Sequence, residues 1–366
     1  MNQIKRIAVL PGDGIGPEVM QQGLRLLKTL QEPLDLRFEF EEHLAGGSCL
    51  KAHGVPILEK TLNACQHADA VLLGAVGLPE FDSNPPYLKP ERALLGLRAA
   101  LGVYCNLRPA TLYSTLIDAS PLKRDIVEGI DLVVVRELTG GIYFGKPAGI
   151  FAENGGERAL NSMVYRDDEI RRIAHQAFGL ARKRRKKVTS VDKANVLEVS
   201  QLWRKVVREV AADYPDVTLE HMLVDNCAMQ LVRWPKQFDV ILTGNLFGDI
   251  LSDESSVLTG SIGMLPSASI GDGTPLYEPV HGTAPDIAGQ GKANPVAMMA
   301  SIAMMLELSF DRPAAARAIE AAIETALEKG CHTADLRLSH GRLVTTSEMG
   351  NLVIEQTLQQ LTHVRV

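Results

Sequence analysis

Apolar positions along this chain gather into short β-branched runs separated by stretches of helical period. Ile7-Ala-Val-Leu10, Ala68-Asp-Ala-Val-Leu-Leu73, Asp131-Leu-Val-Val-Val-Arg136, Lys187-Val-Thr-Ser-Val-Asp192 and Phe238-Asp-Val-Ile-Leu242 each read as a buried strand. Between and after them the pattern predicts helices over Val19 to Leu30, Glu91 to Leu101, Asp168 to Lys183, Val196 to Ala212, Asn294 to Leu308 and Ala314 to Lys329. The last two are rich in Ala and Met, and the methionines read as core packing. Strand and helix in alternation predict an α/β fold on a mostly parallel sheet.

Glycine punctuates the strand ends. Pro11-Gly-Asp-Gly-Ile-Gly-Pro-Glu18 follows the first strand and opens a helix, but its glycines are one residue short of the dinucleotide fingerprint. No acidic residue closes a second strand about twenty residues on, so a Rossmann reading is declined. The glycines imply close backbone approach, either to a ligand or to a neighbouring turn. Gly74 and Gly77 likewise lead into an irregular loop, Leu78 to Pro90.

The most informative stretch is Thr243-Gly-Asn-Leu-Phe-Gly-Asp-Ile-Leu-Ser-Asp-Glu254. Asp249 and Asp253 stand four apart at a predicted helix start, which puts both on one face with Cβ atoms about 5–6 Å apart. Held that close, the two charges repel unless something cationic lies between them. A pair of hard oxygen donors suits Mg²⁺ or Mn²⁺; the alternative is a solvated acidic face. The pair follows a strand and a Gly-Asn break, at the carboxyl end of a strand, where ligands bind in α/β sheets.

Composition narrows the class. At 366 residues the chain accommodates two domains or one large α/β unit. A net charge of −6 argues against a general nucleic-acid binder. Five cysteines without metal-type spacing point to a reducing, cytoplasmic setting. No signal peptide or bilayer-spanning apolar run is present in the sequence, so no membrane partner is expected. The basic run Arg182 to Lys187 closes a helix and enters a strand, a structural place for cations. Ala152 to Arg158 reads as a surface hairpin or arm.

Arg98, Arg108 and Arg136 recur at strand and helix ends. Each alone reads as an ion-pair partner, but three beside a candidate divalent site suggest a substrate with two carboxylates. Tyr143 sits among glycines, Lys193 follows a strand, and Asp225 closes another strand-like run. A tyrosine and a lysine in one cleft can divide acid and base duties. Glu278 to Pro295 is a long loop of Gly, Pro and polar residues, of the kind that carries function.

Taken together, G-D-G-I-G-P-E at 12–18, L-L-G-L-R at 94–98, N-L-R-P at 106–109, R-E-L-T-G-G-I-Y-F-G at 136–145, V-D-K-A-N-V-L at 191–197, V-D-N at 224–226, G-N-L-F-G-D-I-L-S-D-E at 244–254, G-S-I-G-M-L-P-S-A-S at 260–269 and H-G-T-A-P-D-I-A-G-Q-G-K-A-N-P at 281–295 resemble the β-decarboxylating dehydrogenases of hydroxy acids, the isocitrate/isopropylmalate group. The resemblance spans nearly the whole chain. It implies that family's own α/β fold: two domains sharing a large mixed sheet, the first from 1–103 and 256–366, the second from 104–255 with an arm near 150–166. It implies Arg98, Arg108 and Arg136 on the substrate carboxylates, and Mg²⁺ or Mn²⁺ on Asp225, Asp249 and Asp253. It further implies a homodimer in which Lys193 and Asp225, also a substrate contact, enter the site from the other subunit. The cofactor would lie along Gly77 to Pro90, including Asp82, and along His281, Gly282, Ala284, Asp286, Ile287 and Asn294, near Ile15. Lys193 would take the C2 hydroxyl proton and Tyr143 would protonate the enol carbon.

Two places choose among relatives in this resemblance. Asp286-Ile287 stands where NADP users carry Lys-Tyr, and its carboxylate suits a free ribose 2′-hydroxyl, which implies NAD. Glu91, Leu94 and Leu95, with Val196 of the partner subunit, form an apolar patch without the serine of isocitrate users. The substrate implied is therefore 3-isopropylmalate, ahead of isocitrate, homoisocitrate or tartrate. Leu78 and Phe81 depart from the usual glycine and tryptophan of the cofactor loop.

Overall fold

The apolar runs become the inner strands of mixed sheets. The computed structural model describes residues 3–364, and the chain divides into two units. One comprises Met1–Val103, Tyr113–Pro121 and Thr259–Val366; the other, Tyr104–Leu112 and Leu122–Leu258. The second boundary falls after Leu258, not at the expected 255, because the helix Asn245–Leu258 continues unbroken to that point. Tyr113–Pro121, expected in the second domain, belongs to the first unit, where the half-buried Tyr113 lies near Glu320 and Glu324.

In the first unit the strands run in the order Leu36–Glu42, Gln3–Gly12, Ala70–Ala75, Leu276–Pro279, Pro266–Gly271. All neighbours are parallel except the last pair. The helix Val296–Leu308 is buried almost all round, with Met298, Met299 and Met305 fully enclosed, so these methionines are core. The glycine loop resolves in favour of neighbouring turns. A Cβ at Gly12 (φ +74°) would stand 1.9 Å from the Ala75 carbonyl oxygen, and one at Gly14 (φ +55°) 2.1 Å from that of Thr283.

In the second unit the order is Val103–Thr111, Asp131–Glu137, Val240–Thr243, Lys187–Asp192, Thr218–Leu223. The sheet is mixed, since Val103–Thr111 pairs antiparallel with Asp131–Glu137 while the other pairs are parallel. Ala148–Glu153 and Gly156–Asn161 form a largely exposed hairpin, as the Gly/Glu-rich segment suggested. The basic run is held by ion pairs. Arg182 meets Asp216, Arg184 meets Asp131 and the buried Asp239, Arg185 meets Asp131, and Lys187 meets Glu220. Its structural reading holds.

His221, on the strand Thr218–Leu223, has both ring nitrogens buried without a partner among the described residues. Burial, then the nearby Arg204 and Arg208, push its pKa down to about 4, against an opposing pull from Asp192. An unfolded chain takes up this proton near pH 6.5 and the folded one only near 4, so stability falls as pH drops through that window. His221→Phe should flatten the slope of Tm against pH between those limits; an unchanged slope would remove His221 as its source.

Candidate active site

Strand register builds the site. Thr243 pairs with Arg136 on one side and with Val191 on the other, so the chain segments beyond these three parallel strands emerge together. After Thr243 the chain turns at once into the helix Asn245–Leu258, which carries Asp249 and Asp253. Gly248 lets Arg136 lie across this helix: a Cβ there would come within 2.6 Å of the Arg136 Cγ.

The two aspartates do share a face, and a guanidinium does lie between them. Arg108 Nη1 is 3.9 Å from Asp249 Oδ1 and 3.3 Å from Asp253 Oδ1. Arg136 Nη1 donates to Asp249 Oδ1 at 2.5 Å, and the Tyr143 hydroxyl donates to Asp249 Oδ2 at 2.9 Å. Burial chiefly, opposed by Arg108 and reinforced by Asp249, raises the Asp253 carboxyl above its ordinary pKa. Burial, then the hydrogen bond and charge of Asp249, raise the Tyr143 phenol as well, so it keeps its proton at neutral pH. Arg108, Arg136, Tyr143, Asp249 and Asp253 thus form one cluster of the second unit.

Lys193 and Asp225 form a separate pair. Asp192 and Leu223 are register partners, so the residues just beyond them meet, and Lys193 Nζ lies 2.7 Å from Asp225 Oδ1. The lysine holds the carboxyl of Asp225 below its ordinary pKa. Among the described residues no three His, Cys, Asp or Glu side chains gather within one chain as a metal cage. Within this chain, Asp225 therefore does not join Asp249 and Asp253. Two hard carboxylates on one helical face are a partial ligand set of the type Mg²⁺ or Mn²⁺ accepts, with remaining positions for other oxygens.

The other predicted residues, Val196 excepted, lie in the first unit. Arg98 is buried on the helix Arg92–Ala100, 3.1 Å from Glu278, with Leu94 and Leu95 half-buried on the same helix and Glu91 just before it. Val196, in the second unit, is 67% exposed. Ile15 is buried, and its amide donates to the Thr283 carbonyl at 2.9 Å. Asp82, Gly282 and Asp286 are exposed, Gly77, Ala284 and Ile287 half-buried. His281 is buried with Nδ1 near the Gly282 carbonyl and Nε2 without a partner among the described residues, a polar atom fit for a ligand contact. Asn294 is occupied within the chain, donating to Asp335 at 3.0 Å and accepting from the Val296 amide at 3.1 Å.

Several groups that shape these sites escaped the sequence reading. Asp13 accepts amides of Gly47, Ser48 and Gly77, tying the glycine loop to two others. Glu18 accepts amides of Gly289 and Gly291 in the loop after Asp286. The buried Glu137 accepts from Thr139 and Gly140 below Tyr143. Each is an acidic residue within a glycine-bearing segment, but its partners are distant in sequence, are backbone amides or, for Glu137, include the neighbouring Thr139 hydroxyl.

This is an α/β protein whose helix start, after a parallel strand, presents paired carboxylates clasped by arginines. The profile of the isocitrate/isopropylmalate dehydrogenase family matches residues 6–353, and the chain belongs to that family. It is an oxidoreductase of the family's α/β fold. The 3-isopropylmalate dehydrogenase of Geobacillus kaustophilus is 59% identical over 94% of this chain and 93% of its own. That of Aquifex aeolicus is 56% identical over 96% of each. Among solved structures, the isocitrate dehydrogenase of Methylococcus capsulatus superposes with a TM-score of 0.86 at 34% identity, over 96% of this chain and 99% of that one. A β-decarboxylating dehydrogenase of Thermococcus kodakarensis gives 0.80 at 37%, over 99% and 98%. Dehydrogenases of this family generally use NAD and a divalent metal. Among the described residues no helix is long and apolar enough to cross a membrane.

Proposed function

We propose that the chain catalyses NAD-dependent oxidative decarboxylation of (2R,3S)-3-isopropylmalate to 4-methyl-2-oxopentanoate and CO₂, a step of leucine biosynthesis. The observation that carries the reading is the cluster of Asp249 and Asp253 with Arg108, Arg136 and Tyr143, in a chain 59% identical to a 3-isopropylmalate dehydrogenase. Arg108 and Arg136 hold the substrate carboxylates. Asp249 and Asp253, with Asp225 of the partner subunit, hold Mg²⁺ or Mn²⁺. When bound, the cation would stabilise negative charge on the C2 oxygen, and NAD would supply the hydride acceptor. Lys193 of the partner subunit takes the C2 hydroxyl proton. Tyr143, kept protonated by burial and Asp249, delivers a proton to C3 after CO₂ departs.

The working unit is a homodimer. Met229 and Val232 on the helix Val224–Arg233, and Ile250 and Val257 on the helix Asn245–Leu258, are apolar yet exposed in the single chain. Ile150 and Phe151 of the hairpin are exposed as well. A second copy would cover such surface.

Turnover of 3-isopropylmalate, isocitrate, homoisocitrate, malate and tartrate, each with NAD and with NADP, tests the reading. The half-buried Leu94 and Leu95 give no partner to a third carboxylate, so kcat/KM should favour isopropylmalate by about a hundredfold or more over isocitrate. The Asp286 carboxylate should favour NAD over NADP by about tenfold or more. Equal use of isocitrate would overturn the pocket assignment, and equal use of NADP the cofactor assignment.

A further inference from the structure

We infer that Asn245 is a positioning residue that holds Arg136 and the loop bearing Tyr143 as one piece. Asn245 is the first residue of the aspartate helix and is only 1% exposed. Its Oδ1 accepts from both Nε and Nη2 of Arg136, at 3.1 and 2.8 Å. Those two bonds set the plane of the guanidinium and leave Nη1 facing Asp249. Its Nδ2 donates to the carbonyls of Leu138 and Gly140, at 2.9 and 3.2 Å, in the segment that leads to Tyr143. Its own amide, an unpaired donor at a helix start, is satisfied by the buried Tyr165 hydroxyl at 2.7 Å.

All four side-chain hydrogen-bonding positions of the amide are thus engaged. Asn245 and Asp249 are four residues apart on one helix, so the same face grips one arginine twice. A serine or aspartate at 245 supplies an acceptor for Arg136 but not the two donors. Only an amide joins a cation on one side to two carbonyls on the other. The inference rests on the proposed reaction for the roles of Arg136 and Tyr143, and on the observed bonds for their placement.

The test compares Asn245→Ala and Asn245→Asp with wild type, by steady-state kinetics and by crystal structure. For Asn245→Ala, KM for the hydroxy acid should rise about tenfold and kcat fall about tenfold, because a small misplacement of reacting groups is costly. KM for NAD should stay within about twofold, since the cofactor-loop residues belong to the other unit. Asn245→Asp keeps the acceptor and loses the donors, so KM should recover to within about threefold while kcat stays low. A merely structural role would lower kcat through a smaller active fraction and leave every KM unchanged; that pattern overturns the inference. If wild type turns over none of the hydroxy acids, the proposed reaction fails and the crystal structures decide alone. An Arg136 guanidinium rotated from Asp249 in Asn245→Ala supports the inference, and an unmoved one refutes it.

Discussion

Replacing Asp249 by Asn should lower kcat/KM for the hydroxy acid by about 10³-fold. This carboxylate stands at the junction of every group in the cluster. One oxygen accepts Arg136 at 2.5 Å, the other accepts the Tyr143 hydroxyl at 2.9 Å, and Arg108 lies 3.9 Å away. The amide removes one of two hard anionic donors on the helix face and turns an NH₂ group toward a neighbour that needs an acceptor. Divalent-cation affinity, measured by Mn²⁺ titration without substrate, should weaken in parallel. The side chain is one-third exposed on a helix surface, so the fold should survive, which circular dichroism checks. Decarboxylation at a near wild-type rate, with unchanged Mn²⁺ affinity, would sink the metal assignment.

Mixing two inactive variants should restore activity. Lys193→Met removes the proposed base and Asp249→Asn a proposed metal carboxylate, and each variant alone should fall about 10²-fold or further. In a heterodimer, one site combines the intact Asp249 of one protomer with the intact Lys193 of the other. Random reassortment makes half the dimers mixed, each with one good site, so about a quarter of wild-type activity should return. The geometry motivates this directly. Within one chain Lys193 is paired with Asp225 at 2.7 Å, while no described trio of metal-type ligands unites Asp225 with Asp249 and Asp253. Complementation absent after verified subunit exchange would mean that Lys193 serves its own chain, or that the subunits do not share sites.

How much of this was legible beforehand depends on the range of the interaction. The i,i+4 spacing of Asp249 and Asp253 fixes their common face through helix geometry alone, and the structure places Arg108 against both. The inner strands were visible because burial on both faces demands continuous apolar runs, as at Ala70–Ala75 and Val240–Thr243. Val103–Thr111 was not read as a strand. It holds Asn106, Arg108 and Pro109, and its antiparallel pairing gives the sheet a mixed character. Likewise the helix expected from Val196 starts at Glu198, because Val196 and Leu197 close a turn onto the Lys193 carbonyl.

By itself, the sequence determined the α/β class, the acidic helix start, the arginines beside it and the motifs that mark the family, since each depends on residue type and local spacing. Tertiary structure alone decided which groups meet. It brought Arg136 onto Asn245 across 109 positions and Tyr143 onto Asp249 across 106. It answered the glycine question with neighbouring backbone at Ala75 and Thr283. It also kept Lys193 and Asp225 as a pair, because strand register aligns Asp192 with Leu223. Register is a collective property of the whole sheet, set by how every apolar face is buried at once, and no local stretch of chain carries it.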